Sequence, residues 1–303
     1  MGGSSPGGRS TSVRSVIVTE LEHKYSTRAV LKAVGLSVST YYRHRSQPVP
    51  LDRYEQLRPL LREVFDGSYR SYGYRRIRAV LATRHGIQLS GKTVLKLMRQ
   101  EGRTCQVRRR KKYKSYRGEI GKAAPNVLAR NFDAAQPSKK WVTDVTEFYV
   151  LGQKQYLSPV IDLFNREVIS YELAPSPVMG LVTGMLEKAF TQLKPGTGLV
   201  MHSDQGWHYQ HIKYQLALKQ RGITQSMSRK GNCLDNAVAE NFFGHFKEEF
   251  LRQHHFTSMG QFKRELEKYI HWFNHDRVQL KLNGLSPVDY RTQTIRDLKP
   301  TPH

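Results

Sequence analysis

His202-Ser203-Asp204-Gln205-Gly206 leads through a helical region to Ser228-Arg229-Lys230-Gly231-Asn232-Cys233-Leu234-Asp235-Asn236-Ala237-Val238-Ala239-Glu240, and then to Lys247. Asp204 follows Leu199-Val200-Met201, an apolar run that reads as a buried strand. Glu240 falls on a helix opened by Asp235 or Asn236, both good N-cap types. Sixty residues before Asp204, the strand-like run Trp141-Val142-Thr143-Asp144-Val145-Thr146-Glu147-Phe148-Tyr149-Val150 carries Asp144 in mid-strand. Three carboxylates on apolar elements are costly to bury as anions without a partner. Hard divalent cations are the fitting partner, because Mg²⁺ binds through one or two carboxylates plus phosphate oxygens. Carboxylates used in this way build a two-metal phosphoryl-transfer site.

Thirty-five residues separate Asp204 from Glu240, and Lys247 follows seven residues later. Seven residues make about two helical turns, so Lys247 projects on nearly the same face as Glu240. Leu234, Val238, Phe242, Phe246 and Phe250 step by four along the core-facing stripe. Glu240 lies about 200° from Val238 and so off that stripe. Two other carboxylates compete for the site. Asp162 reads as a turn residue and Asp235 as the helix cap.

With this spacing the chain resembles the DD(35)E integrase–transposase superfamily, with its RNase H-like core. More narrowly, it resembles the OrfB-type transposases of the insertion-sequence-three family. The matching residues are Trp141-Val142-Thr143-Asp144-Val145-Thr146, His202-Ser203-Asp204-Gln205-Gly206 and Ser228-x-x-Gly231-Asn232-Cys233-x-Asp235-Asn236-Ala237-x-x-Glu240. Phe243-x-x-x-Lys247-x-Glu249, Trp272-Phe273-Asn274-x-x-Arg277 and Leu285-Ser286-Pro287 extend the match, which covers roughly residues 25–292. After Arg277 this chain has Val278-Gln279 where members of the family often place Pro and His.

Around the motifs the pattern is α/β. Strands are expected at 141–150, 156–162, 167–173, 199–203 and 223–227, with a turn at Gly152-Gln153 and helices at 178–193, 209–221 and 235–251. Three successive strands with short connections imply an antiparallel meander. A meander followed by βαβα units is the RNase H-like order. It makes Asp144 and Asp204 neighbours and brings Glu240 in on the last helix. A further amphipathic helix is expected at 259–276. The fold class is therefore α+β and multidomain: all-α helix-turn-helix units, an RNase H-like α/β core on a five-stranded mixed sheet, and C-terminal helices.

The front of the chain is basic. The net charge is +24, and residues 1–122 hold 27 Lys and Arg against 8 Asp and Glu, which is +19 of it. A basic front on a nearly balanced back suggests DNA binding in front and chemistry behind. Ser26 to Val34, the turn Gly35-Leu36-Ser37 and Val38 to Arg45 form a helix-turn-helix pattern with Arg43 and Arg45 on its second helix. An amphipathic helix at 52–65 precedes a second such pattern. Here Ser68-Tyr69-Arg70-Ser71-Tyr72-Gly73-Tyr74-Arg75-Arg76 leads one helix, and Ser90 caps another that carries Lys92 and Lys96. The run Arg108-Arg109-Arg110-Lys111-Lys112 gives salt-dependent, sequence-blind affinity for phosphates. The domains read as a flexible leader at 1–12, a helix-turn-helix at 13–50, a second helix-turn-helix-like domain at 51–102, a basic linker at 103–136, the catalytic core at 137–252 and a helical tail at 253–303.

The sequence has no apolar run long enough to cross a membrane and no secretory signal at its start. Cys105 and Cys233 are isolated and support neither a disulfide framework nor a Cys-rich zinc site. The expected setting is a reducing bacterial cytoplasm, at the nucleoid when DNA is bound. Twelve histidines, with His271 and His275 four apart, read as solvated or stacking side chains.

The resemblance implies that Asp144, Asp204 and Glu240 are the catalytic triad and hold two Mg²⁺ ions, which Mn²⁺ can replace. It implies double-stranded DNA as partner, both as the element's terminal inverted repeats and as target, with 3′-end cleavage and strand transfer by a copy-out, paste-in route. Lys247 and His202 would touch substrate phosphate. The chain would act as a dimer or higher on paired ends, with an upstream OrfA-type segment supplying a leucine zipper. The alternatives are a nuclease of the same fold and a non-catalytic DNA-binding regulator.

Overall fold

The structure, a computed structural model, describes residues 11–46, 52–105, 124–129, 131–194, 196–229 and 236–297. By its contacts the chain forms two compact units, Met1–Gln56 and Leu57–His303.

The smaller unit holds α1 (Thr11–Leu21), α2 (Thr27–Val34) and α3 (Val38–Ser46). Val18, Val30, Leu31, Leu36 and Tyr41 form its core. The helix-turn-helix pattern is present, and Gly35 makes its turn. With φ of 65° it ends α2 in the left-handed region, and its N–H reaches the carbonyls of Leu31 and Lys32. The Ser26 side chain makes no cap bond at the other end of α2.

The larger unit opens with α4 (Leu57–Asp66), α5 (Tyr74–His85) and α6 (Gly91–Gln100). Ser90 caps α6 as its sequence signalled, accepting from the Thr93 N–H at 3.1 Å. These helices lie in the same unit as the sheet and are joined to its C-terminal segment. The Val278 N–H donates to the Tyr72 hydroxyl at 2.7 Å, Arg84 donates to the Asp276 carbonyl at 2.9 Å, and Tyr69 packs edge-on against Trp272.

The sheet comprises β1 (Lys140–Thr143), β2 (Thr146–Val150), β3 (Gln153–Asp162), β4 (Val168–Ala174), β5 (Val200–Ser203) and β6 (Thr224–Met227). β3 pairs antiparallel with β1, β2 and β4, while β1–β5 and β5–β6 are parallel. The sheet therefore has six strands where five were expected, because the first expected strand is broken after Thr143. Trp141 pairs with Asp162 and Thr146 with Leu157, so β1 and β2 share one register along β3. Continuing that register sets Asp144 opposite Pro159, which has no N–H to donate, and the ladder opens there. The β2–β3 hairpin turns on Leu151 and Gly152, one residue earlier than expected. Both have positive φ, 52° and 72°, as a type I′ turn requires.

Side chains on the two sides of the sheet feed two cores. Trp141 packs with Val182, Met185, Leu186, Tyr214 and Leu218 from α7 (Met179–Phe190) and α9 (Ile212–Gln220), joined by Tyr209 of the short α8 (Trp207–Gln210). Val142, one residue on, faces the opposite core, as strand alternation dictates. That core is largely aromatic. Phe242 belongs to α10 (Ala237–His245), Phe246 and Phe250 to the π-helical turn Phe246–Leu251 that continues it, and Phe262, Tyr269 and Phe273 to α11 (Met259–His275). α12 (Pro287–Asp297) is the last element of the described residues, held by Arg291 on Glu167 at 2.8 Å.

Candidate active site

Asp144 and Asp204 are brought together by the parallel ladder. Trp141 pairs with Met201 and Val142 with His202, so the same register sets Asp144 beside Asp204. Each is the first residue past the end of its strand. The carboxyl ends of parallel strands are where open α/β sheets place their ligands. Asp144 is thus at the end of a strand rather than in mid-strand. Its Oδ1 accepts from the Val145 N–H at 2.8 Å, closing a local turn in place of the ladder. Asp204 Oδ1 accepts from the Gly206 N–H at 2.8 Å. A Cβ on Gly206 would stand 2.9 Å from that same oxygen, so glycine is what permits this close approach.

Burial and then the charge of Asp204 push the Asp144 carboxyl well above the usual carboxylate range. Glu240 adds to the rise and Lys247 opposes it. Burial raises Asp204 as well, against the Gly206 N–H, which favours its anion. Carboxylates this close resist ionising together, and a divalent cation would relieve both the repulsion and the burial cost.

Glu240 lies on the first turn of α10, near enough to Asp144 for its charge to be felt there. Asn236, at the head of that helix, makes no side-chain cap; its Nδ2 instead donates to the Thr143 carbonyl at 3.3 Å, tying the helix to the end of β1. Seven residues after Glu240, the half-buried Lys247 donates to the Glu147 carbonyl on β2 at 3.2 Å. Burial lowers its pKa, while Glu147 and Asp144 hold it up. Among the described residues no three carboxylate, imidazole or thiol groups are already packed as a metal cage. The three acids still fit a hard cation by chemistry: all are oxygen donors, and each of the other two adds to the charge felt by Asp144.

The other residues singled out in the sequence fall in different places. His202 is fully buried; its Nδ1 lies 2.9 Å from the Ser226 hydroxyl, across the β5–β6 ladder. The strand turns this imidazole into the sheet, so it is not a phosphate contact. Asp162 accepts from the Ser138 and Phe164 N–H groups and from the Trp141 indole, at 2.7, 2.8 and 3.2 Å. It is a structural turn acid. Asp235 and the Arg108-Arg109-Arg110-Lys111-Lys112 run lie outside the described residues. Arg43, Lys92 and Lys96 are exposed. Arg45 is exposed but bridged to Glu22 at 2.7 Å, which ties α3 to the turn that follows α1. Arg75 is exposed and lies over the Tyr74 ring. Arg76, its neighbour, turns inward to Glu249 at 3.6 Å and over the Tyr72 ring. It faces protein rather than DNA.

Two residues at the centre of the larger unit had been read only as parts of a motif. Glu249 and Arg277 form a fully buried, two-pronged ion pair, Nε to Oε2 and Nη2 to Oε1, both 2.7 Å. Their spacing in sequence, twenty-eight residues, offers no periodic signal.

Comparison with known proteins agrees with this architecture. Residues 134–233 and 240–295 match integrase core domain models, and residues 52–112 match an HTH-like domain model. The class they define is that of integrase-core polynucleotidyl transferases with a helix-turn-helix-like region. The chain is 47% identical over 278 residues to InsK of Escherichia coli (strain K12), named as a transposase for insertion sequence element IS150; the match spans 92% of this chain and 98% of that protein. It is 27% identical over 288 residues to the E. coli (strain K12) transposase InsF for insertion sequence IS3A, spanning 93% and 100%. The chain belongs to the insertion-sequence-three (IS3) family of DDE DNA transposases. Among solved structures, the HTLV-2 integrase catalytic core domain in complex with magnesium shares 17% identity, covers 52% of this chain and 98% of its own, and has a TM-score of 0.42.

Proposed function

We propose that Asp144, Asp204 and Glu240 are the catalytic triad of this transposase and hold two Mg²⁺ ions, replaceable by Mn²⁺. The observation that carries this is the in-register placement of Asp144 and Asp204 past the ends of two parallel strands, with Glu240, on the first turn of α10, adding its charge at Asp144. Such ions supply Lewis-acid activation of a water or a 3′-hydroxyl and charge neutralisation at the leaving oxygen. The chain's own residues hold the acids in place. The Val145 and Gly206 N–H groups fix the orientation of Asp144 and Asp204. Asn236 sets the start of the Glu240 helix. Lys247 brings a cation to the same side as Asp144, where it can meet the phosphate beside the scissile bond.

The reaction proposed is cleavage at the 3′ ends of the element, then in-line attack of the freed hydroxyl on a second phosphate, by a copy-out, paste-in route. Its substrates are the element's terminal inverted repeats and target DNA. The exposed Arg43, Lys92 and Lys96 are the candidates for end reading, with Arg75 on backbone phosphate. In this reading residues 13–50 and 51–102 bind DNA, 103–136 form a basic linker, 137–252 carry the chemistry and 253–303 brace it. Two or more chains would act on paired ends, with an upstream OrfA-type segment as further partner. Incubating the protein and Mg²⁺ with DNA carrying its own element's ends tests the reading. Strand joining is expected, and hydrolysis without joining would favour a nuclease of the same fold.

A further inference from the structure

Glu249 lies on the π-helical turn that continues α10, and neither it nor Arg277 exposes more than 1% of its surface. Other partners surround the pair. His245 Nδ1 stands 3.1 Å from the Arg277 guanidinium and 3.0 Å from Glu249, and Arg76 of α5 stands 3.6 Å from Glu249. The Arg277 guanidinium also lies over the Phe273 ring, 5.1 Å from its centroid. The Tyr72 hydroxyl, by accepting from the Val278 N–H at 2.7 Å, braces the backbone just past Arg277. Three separate pieces of chain therefore meet on one carboxylate: α5, the α10–π run, and the segment after α11.

A buried ion pair is weak evidence for stability, because apolar side chains of similar volume often serve as well. What the forked guanidinium adds is direction, since two parallel N–H bonds accept only one orientation of the carboxylate. Glu249 is nine residues beyond Glu240 and is held from α5 and from the segment after α11, by Arg76 and Arg277. On its other side the run is tied by Asn236 to Thr143 and by Lys247 to Glu147. A helix gripped from both sides cannot roll about its axis. Roll is the motion that would swing Glu240 away from Asp144. π turns within α-helices are frequent at functional sites, and this one carries both Glu249 and Lys247.

We propose that Arg277 and Glu249 are positioning residues for the transposase reaction: their buried fork sets the roll of the helix that presents Glu240 and Lys247 to the acid pair. This rests on the reading of Glu240 as a metal ligand. The pair touches neither substrate nor metal and acts only through the helix. It also gives a role to the motif residues Glu249 and Arg277, which lie away from the triad.

The test uses the full chain and the apolar double variant Glu249→Leu/Arg277→Met, which removes both fully buried charges of the fork together and leaves Arg76, the partly exposed third member, to turn to solvent. Thermal unfolding, affinity for DNA carrying the element's ends, Mn²⁺ binding followed by electron paramagnetic resonance, and end cleavage are measured together. The expected result is near-wild-type unfolding and DNA affinity, with Mn²⁺ bound about tenfold more weakly and cleavage slowed at least as much. Should the double variant fail to fold, Arg277→Lys keeps the charge but loses the fork, and a smaller loss of Mn²⁺ affinity is expected from it. Wild-type Mn²⁺ affinity and cleavage in a folded variant lacking the fork would overturn the proposal and leave the triad standing. Glu240→Gln is the control. If it binds Mn²⁺ as tightly as the wild type, Glu240 leaves the metal site and the proposal falls with it.

Discussion

Glu240 and Glu249 sit on one helical run, nine residues apart, in opposite surroundings. Glu249 is met by Arg277, His245 and Arg76, and Arg277 holds its carboxyl far below the usual range despite complete burial. Glu240 faces Asp144, another acid, and adds to the forces raising that group. Around Glu249 the protein supplies the balancing cations, while Glu240 adds negative charge at Asp144, which Lys247 opposes. The first arrangement completes a fold and the second calls for a ligand. Burial alone does not separate the two, since both acids of the strand-end pair are raised by it; the sign of the neighbouring charge does.

The largest effect expected is at the acidic end. Asp144→Asn, Asp204→Asn and Glu240→Gln should each lower end cleavage by about a thousandfold or more, with unfolding temperature unchanged or raised because repulsion is relieved. A cleavage assay beside a thermal melt checks both halves. A variant that cleaves like the wild type would remove that residue from the site.

At the balanced end the signs reverse. Glu249→Ala or Arg277→Ala should cost about 3–5 kcal/mol of stability, read from denaturant midpoints, because each leaves an uncompensated buried charge. Because Arg277 lowers the folded-state pKa of Glu249, the pair's contribution is present in full above the ordinary Glu value of about 4.3. It is lost as pH falls below that value toward the lower folded one. The stability gap between wild type and Glu249→Leu/Arg277→Met should therefore shift against the wild type on acidification below about pH 4. A gap that does not vary with pH would mean that Glu249 is not depressed.

Smaller effects are expected around these two. Gly206→Ala places a methyl 2.9 Å from Asp204 Oδ1. It should slow cleavage by up to about a hundredfold through misplacement of that oxygen, with little change in DNA affinity. Smallest are those at the side chains proposed to read the ends. Arg43→Ala and Lys92→Ala should each cost about 1–3 kcal/mol on true ends and less on random DNA, as measured by competition binding. Equal losses on both DNAs would assign these side chains to phosphate.

Much of this was legible in the chain itself. The strands around Asp144 and Asp204 lie within a few residues of where apolar runs and turns put them, and Ser90 caps α6 as its side chain allows. What escaped was non-local. Nothing near Asp144 shows that Pro159 stands opposite it and opens the ladder; that needs the register. His202 reads as polar beside a catalytic acid, yet strand alternation turns it toward Ser226. Arg76 sits in a run of arginines and looks like a DNA contact until Glu249 is found in front of it. Asn236 has a capping side chain, but the end of β1 takes its amide. In each case the residue type was informative, and the partner that decided its role lay at least fifteen residues away.

On the proposed function, Asp144 and Asp204, side by side at two strand ends, form a cation site completed by Glu240. The most direct measurement is Mn²⁺ titration of the full-length protein followed by electron paramagnetic resonance, comparing wild type with Asp144→Asn, Asp204→Asn and Glu240→Gln. Saturable Mn²⁺ binding is expected in the wild type, weakened at least tenfold in each variant. Equal Mn²⁺ binding in the wild type and all three variants would contradict it.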